Sequence, residues 1–323
     1  INTAQTDLHP LPIDTHLIGE DILKGGGVGG DNERAVEIMN RDADEVMRRI
    51  TAEITADTEA IIVLAGLGGG TGSGGAPTLV EHLTSTYEIP VYAIGVLPSD
   101  DEGALRDRNA GRSLKTLQDQ SNATILIDNN IKRKTNQSLS DWYADINTQI
   151  ATQFSLLFTA GEATEHASES VVDSSEIINT LQPGGAAAIG YGKTPVGENT
   201  TQQITNIQTA TRKALKNGLS LTGDVRAQTG LLLVAGDPDK LSRKGVEKSR
   251  QIVEEEHDSY RVRGGDLPIP GSNTVETVVL LGGLQKSTRV NALIERAKDI
   301  TESQANNEEE TNPAAQFQHD ELD

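Results

Sequence analysis

Apolar positions along this chain fall into short continuous runs and longer stretches with helical spacing, and their alternation predicts the fold. The run AIIVLA from Ala60 to Ala65 reads as a buried strand that enters a glycine cluster, followed by a helical stretch over 77–83. Val91 to Leu97 is the next buried strand; a polar, helix-period segment over 102–119 and the apolar run Ala123 to Ile127 follow it. Strand, helix, strand, helix, strand in this order implies a parallel sheet with helices on both faces, because parallel neighbours need a crossover connection. Trp142, Ile146, Ile150, Phe154 and Phe158 then recur every four residues, with Leu157 beside them, which predicts one long amphipathic helix.

Beyond about residue 168 the pattern changes. Strands are predicted at Ala186 to Tyr191, Gly230 to Ala235 and Val275 to Leu281, with helices around 202–216, 241–256 and 287–300. The chain thus divides into an α/β unit over 1–138, a bridging helix over 139–167, a second α/β unit over 168–300 and a tail over 301–323. No internal repeat of fixed period is visible.

Composition narrows the class. With 323 residues, 35% hydrophobic and only 3% aromatic, the chain has length for about two domains and a core of Val, Ile, Leu and Ala. No run approaches the roughly 18 apolar residues a membrane span requires. The absence of cysteine excludes disulfides, thiolate metal sites and a cysteine nucleophile. His9, His16, His82, His166, His257 and His319 show no ligand spacing, so no histidine metal site is expected. The 48 acidic and 28 basic residues leave a net charge of −20, which argues against a duplex nucleic acid partner and fits a salt-rich surrounding. The tail carries seven acids and no Lys or Arg, and is expected to be disordered.

The chemistry is concentrated in Gly68 to Gly75, GGGTGSGG, between a strand and a helix. Glycines let backbone approach a ligand closely, and the free N–H groups of a helix start favour an anion, so a phosphate site is expected. A Walker loop is excluded because the Gly-Lys-Ser/Thr ending is missing. Gly70, Gly72 and Gly75 formally satisfy GxGxxG, which keeps an NAD-dependent oxidoreductase as an alternative. The acid expected about 20 residues further on should end the next strand, however, and here position 90 is proline and that strand has barely begun.

GLGGGTGSGGAP, at 66–77, resembles the signature loop of the tubulin and FtsZ superfamily. A closer resemblance, to the archaeal tubulin-like CetZ family, is carried by Asp31-Asn32-Glu33, by Val96-Leu97-Pro98 with Asp101-Glu102-Gly103, and by VVDSSEIINTL at 171–181. The resemblance extends from about residue 1 to about residue 300. It implies a Rossmann-like GTPase domain, a long central helix and a second α/β domain, with GTP lying over the strand ends and Mg²⁺ held largely by phosphates and water.

By that resemblance Gly70, Thr71 and Gly72 form the centre of the phosphate loop, supported by Gly68, Gly69 and Ser73. The loop Gly25 to Gly30, with Gly27 and Gly29, matches the one that senses the terminal phosphate; alternatively it is a surface turn. Glu102 matches a ribose-binding carboxylate, or is a helix N-terminal acid that could pair with Arg106. Asn129 matches an asparagine that reads guanine, or is a turn former. Tyr143 and Asn147, one helical turn apart, match an aromatic that stacks on the base and an amide that reads its edge; otherwise they are a core ring and a solvent-facing amide.

Asp173 and Glu176 read in isolation as a capping box. The resemblance makes them the carboxylates that enter the nucleotide site of the next subunit, Glu176 first and Asp173 second. It implies a GTPase that turns over on head-to-tail homopolymerisation, with other family members as further partners, acting in the cytoplasm in archaeal cell-shape control. A catalytically silent relative that co-assembles with intact members is the other alternative. In the family pattern a strand, a phosphate turn, a helix and most of a second strand precede Ile1, roughly 40 residues. The expectation is that their loss would expose strand edges and weaken folding and nucleotide binding.

Overall fold

The computed structural model describes residues 1–5, 13–130, 138–162, 172–257, 259 and 261–311. In chain order the helices are α1 (Glu20–Leu23), α2 (Asn32–Glu53), α3 (Ala76–Thr86), α4 (Ala104–Gln120), α5 (Leu139–Glu162), α6 (Ser174–Leu181), α7 (Thr200–Lys216), α8 (Arg243–His257) and α9 (Thr288–Thr311). The strands are β1 (Ile61–Gly66), β2 (Val91–Leu97), β3 (Ala123–Asp128), β4 (Ala186–Pro195), β5 (Val225–Gly236), β6 (Arg261–Pro268) and β7 (Thr274–Ser287). A π-helical turn, Thr71–Gly75, leads into α3.

One seven-stranded sheet runs β1-β2-β3-β4-β7-β5-β6. As expected, β1, β2 and β3 are parallel, in a register that sets Gly66 beside Val96 and Leu97 beside Asp128. Their C-terminal ends therefore open at one margin of the sheet, where the connecting loops gather. Parallel pairing of Thr124 with Ala186 and of Ile125 with Ala187 joins the second half, in which β7 lies antiparallel to both β4 and β5. Among the described residues β1 is an edge strand, with Ile62 43% and Leu64 67% exposed.

Side chains alternate across the pleat, so each strand feeds two cores. On β2, Val91, Ala93 and Leu97 join Met39, Leu83 and Leu114 on one face, while Tyr92 and Ile94 join Phe154, Leu157 and Leu181 on the other. The stripe predicted on α5 is the buried one: Trp142, Ile146, Phe154 and Leu157 are buried, with Ile150 and Phe158 packed alongside.

Two of the longer elements escaped the hydrophobic pattern. In α2 the buried residues Ala35, Ile38, Met39, Ala43 and Val46 keep helical spacing, but charged neighbours outnumber them. In β6, RVRGGDLP, only Val262, Gly265 and Leu267 point inward. The helix α9 also runs to Thr311, into the stretch expected to be a tail from 301, because Glu, Gln and Ala there are compatible with continuing it. Residues 312–323 lie outside the described residues, as do 131–137 and 163–171 beside α5.

Candidate functional site

The glycine run after β1 does two separate jobs. A Cβ at Gly70 would collide with the Val28 side chain, one at Gly72 with the Gly66 carbonyl and one at Gly74 with the Asn32 carbonyl. These three glycines exist to let the π-helical turn press against the end of β1 and the start of α2. Gly69 differs: a Cβ there would stand in open space. Gly68 sits at φ 123°, and its N–H donates to the buried Ser73 hydroxyl at 2.7 Å, so Ser73 shapes the loop from beneath. Thr71 shares a 2.6 Å hydroxyl hydrogen bond with Thr3.

The second glycine loop lies against the first. Gly27 and Gly29 hold left-handed backbone, φ 72° and 62°, and Val28 between them is buried beneath Gly70. Asp31 then caps α2 by accepting the Arg34 N–H at 3.0 Å. Asn109, 0% exposed on α4, ties the two loops together: its amide donates to the Gly30 carbonyl at 2.7 Å and to the Gly68 carbonyl at 3.2 Å. The starts of α2, of the π-helical turn and of α4 thereby converge, a concentration of N-terminal backbone dipoles suited to a polyanion. Sequence reasoning missed Asn109; the only available signal was a polar residue at a core position of a polar helix.

The loop after β2 is folded on Glu102. Its carboxylate accepts the Ser99 N–H at 2.8 Å and the Ser99 hydroxyl at 3.2 Å, while Arg106 pairs with its other oxygen at 2.8 Å. The local reading of Glu102 as Arg106's partner is thus realised; the carboxylate is half-buried, and Arg106 lies against Gly68 of the glycine loop. Asn129 follows β3 directly, its N–H held by the Leu97 carbonyl at 3.2 Å, which places it next to the loop of Glu102. Tyr143 on the first turns of α5 is half-buried; burial and the nearby charges of Glu102 and Asp101 push its phenol above the usual range. Its ring lies 4.9 Å from that of Trp142. Asn147, one turn on, is exposed. The two glycine loops, Glu102, Asn129 and Tyr143 therefore share one margin of the sheet.

Asp173 and Glu176 are elsewhere. The start of α6 packs on the far end of α5, where a Cβ at Gly161 would lie 3.2 Å from Ile177 and 3.6 Å from the Ser174 nitrogen. Asp173 is the N-cap, accepting from the Glu176 N–H at 3.0 Å and the Ser175 hydroxyl at 2.6 Å; the Ser175 bond leads the effects that hold its carboxyl below the usual range. Only half of the expected capping box forms, because Glu176 turns to Arg263 on β6, 2.5 Å away. Among the described residues no group of three or more His, Asp or Glu side chains is arranged to hold a metal ion.

The chain is similar to known proteins along its whole length. Residues 1–135 match the Tubulin/FtsZ family GTPase domain, and residues 136–299 match the tubulin-like CetZ C-terminal domain. The tubulin-like protein CetZ2 of Haloferax volcanii is 46% identical over 323 residues, covering 100% of this chain and 89% of its own. A solved GTPγS-bound protofilament of Haloferax volcanii CetZ2 superposes with a TM-score of 0.88 at 45% identity, covering 94% of this chain and 89% of that one. A GDP-bound monomer of Haloferax volcanii CetZ1 gives 0.83 at 40% identity, covering 93% and 88%. These matches leave no place for the dinucleotide oxidoreductase alternative. The chain belongs to the tubulin-like CetZ family, within the Tubulin/FtsZ group of GTPase domains.

Proposed function

We propose that this protein binds guanine nucleotide over the ends of β1, β2 and β3 and hydrolyses GTP only when a second copy, stacked head to tail, inserts its α6 carboxylate. The observation that carries this reading is the separation of the two halves of the site. Tyr143 feels the charge of Glu102, whereas α6 starts against Gly161, eighteen residues further along α5 and about 27 Å away. A chain so built cannot bring its own Glu176 to its own phosphate loop. A translated copy can, and the protofilament known for Haloferax volcanii CetZ2 supports that arrangement.

In this reading Gly69, Thr71 and the three helix starts receive the phosphates, Glu102 faces the ribose, and Asn129, Tyr143 and Asn147 recognise the base. Gly27 and Gly29 border the terminal phosphate. Glu176, or secondarily Asp173, orients the attacking water. Phosphoryl transfer has a loose transition state, so positioning and charge stabilisation are what the protein must supply. Mg²⁺ arrives with the nucleotide, bound mainly by phosphate oxygens and water, for which no carboxylate cage is required. The division at about 138 and 168, residence in the cytoplasm, co-assembly with other CetZ proteins and a role in archaeal cell shape complete the proposal.

The test is GTP turnover per chain against protein concentration in high potassium chloride. Turnover per chain rising with concentration, and lost in Glu176→Ala with nucleotide still bound, is the expected result. Bound GTP without turnover at any concentration would leave the silent co-assembling relative as the better description.

A further inference from the structure

Arg289 is the second residue of α9, far along the chain from the nucleotide loops, yet its guanidinium is 5% exposed and engaged at all three nitrogens. Nε donates to Asp128 Oδ1 at 2.9 Å, one terminal nitrogen to Asp100 Oδ1 at 3.2 Å, and the other to the Pro98 carbonyl at 2.6 Å. Asp128, 0% exposed at the end of β3, also accepts the Asn130 N–H at 3.1 Å and the Thr222 hydroxyl at 2.5 Å. Asp100 is further held by Arg296 at 2.5 Å, and its N–H donates to Asn130 Oδ1 at 3.0 Å. Burial opposes ionisation of Asp100, but these bonds and the charges of Arg289 and Arg296 keep its carboxyl below the usual range.

One planar fork thus spans the loop that ends in Glu102 and the turn that carries Asn129. Burying charges in this way gives little net stability, whereas the fixed fork geometry defines the distance between the groups it joins. Resting on the nucleotide-site reading above, we propose that Arg289 is a positioning residue for the base and ribose end of that site. From the C-terminal half it holds the Glu102 loop and the Asn129 turn at the spacing of a nucleoside, leaving the phosphate loop untouched.

The test compares the parent chain with Arg289→Met and with the pair Arg289→Met/Asp128→Asn, which removes the uncompensated buried carboxylate and keeps the measurement available if the single variant folds poorly. Hydrogen exchange of the nucleotide-free proteins is read over 98–103, 128–130 and 67–75, and GTP kinetics alongside. Expected are faster exchange in the first two segments alone, a KM for GTP raised about tenfold or more, and kcat at saturation nearly unchanged, in the single and the double variant alike. Unchanged exchange in those segments, or parent-like KM in the double variant, overturns the proposal by reducing Arg289 to a charge balance for Asp128. A parent chain that binds no guanine nucleotide sinks the functional reading, and the exchange data still decide whether Arg289 positions the loops.

Discussion

At the margin of the sheet where the nucleotide is proposed to lie, the structure is built of backbone: three helix starts and two glycine loops, locked together by buried side chains such as Ser73 and Asn109. At the far end of α5 the groups proposed to act are side chains on the first turn of α6, an exposed Asp173 and a partly buried Glu176, each with a hydrogen-bonding partner. The first region is rigid by construction, because a shifted loop would break packing underneath. The second region is held by a few side-chain contacts at the start of α6, while the rest of that helix packs through Ile177, Ile178 and Leu181 on the core. That difference suits a protein in which one face must hold a nucleotide and the other must be presented to a neighbour.

The largest effect is expected from removing the presented carboxylate. Glu176→Ala should lower assembly-dependent GTP turnover at least about a hundredfold, within the range of a positioned acid or base, while fluorescent-GDP affinity stays constant. Equal loss of affinity and turnover would erase the distinction between the two regions. Next is Gly72→Ala, whose Cβ would strike the Gly66 carbonyl; destabilisation of about 3 kcal/mol, measured by urea unfolding, is expected. Gly69→Ala is its control: stability should hold, because the methyl would stand in open space, while nucleotide affinity falls if that space holds the ligand as proposed.

Asn109→Ala removes the donor shared by the two loops, and a loss of about 2 kcal/mol in unfolding free energy should accompany weaker phosphate binding. Asp173→Ala is smallest, about 1 kcal/mol for a lost cap. The sign with pH is fixed: the folded carboxyl titrates below its ordinary value. Its contribution is complete above the unfolded-state value and is lost as pH falls through the folded one. Acid titration of parent and variant should therefore converge at low pH.

Much of the margin where the nucleotide is proposed to lie was legible as local structure. The glycine run, its place between strand and helix, and the asparagine after β3 all follow from local rules, since strand ends and tight turns leave strong signatures. The four-residue stripe of α5 survived intact for the same reason. The charged helix α2 and the glycine-interrupted strand β6 did not announce themselves, because their few buried positions become apolar contacts only once neighbours are in place.

Local sequence determined that there would be a parallel α/β unit, a phosphate-type turn, a long bridging helix and a capped turn at Asp173, because each depends on periodicity or on residues close in the chain. Only tertiary structure decided which glycines serve packing and which face open space, that Asn109 would join Gly30 to Gly68, that Glu176 would turn to Arg263, and that Arg289 would reach Pro98, Asp100 and Asp128. Those contacts join residues far apart in the chain, and no local preference encodes a distance that the packed sheet alone brings within hydrogen-bonding range.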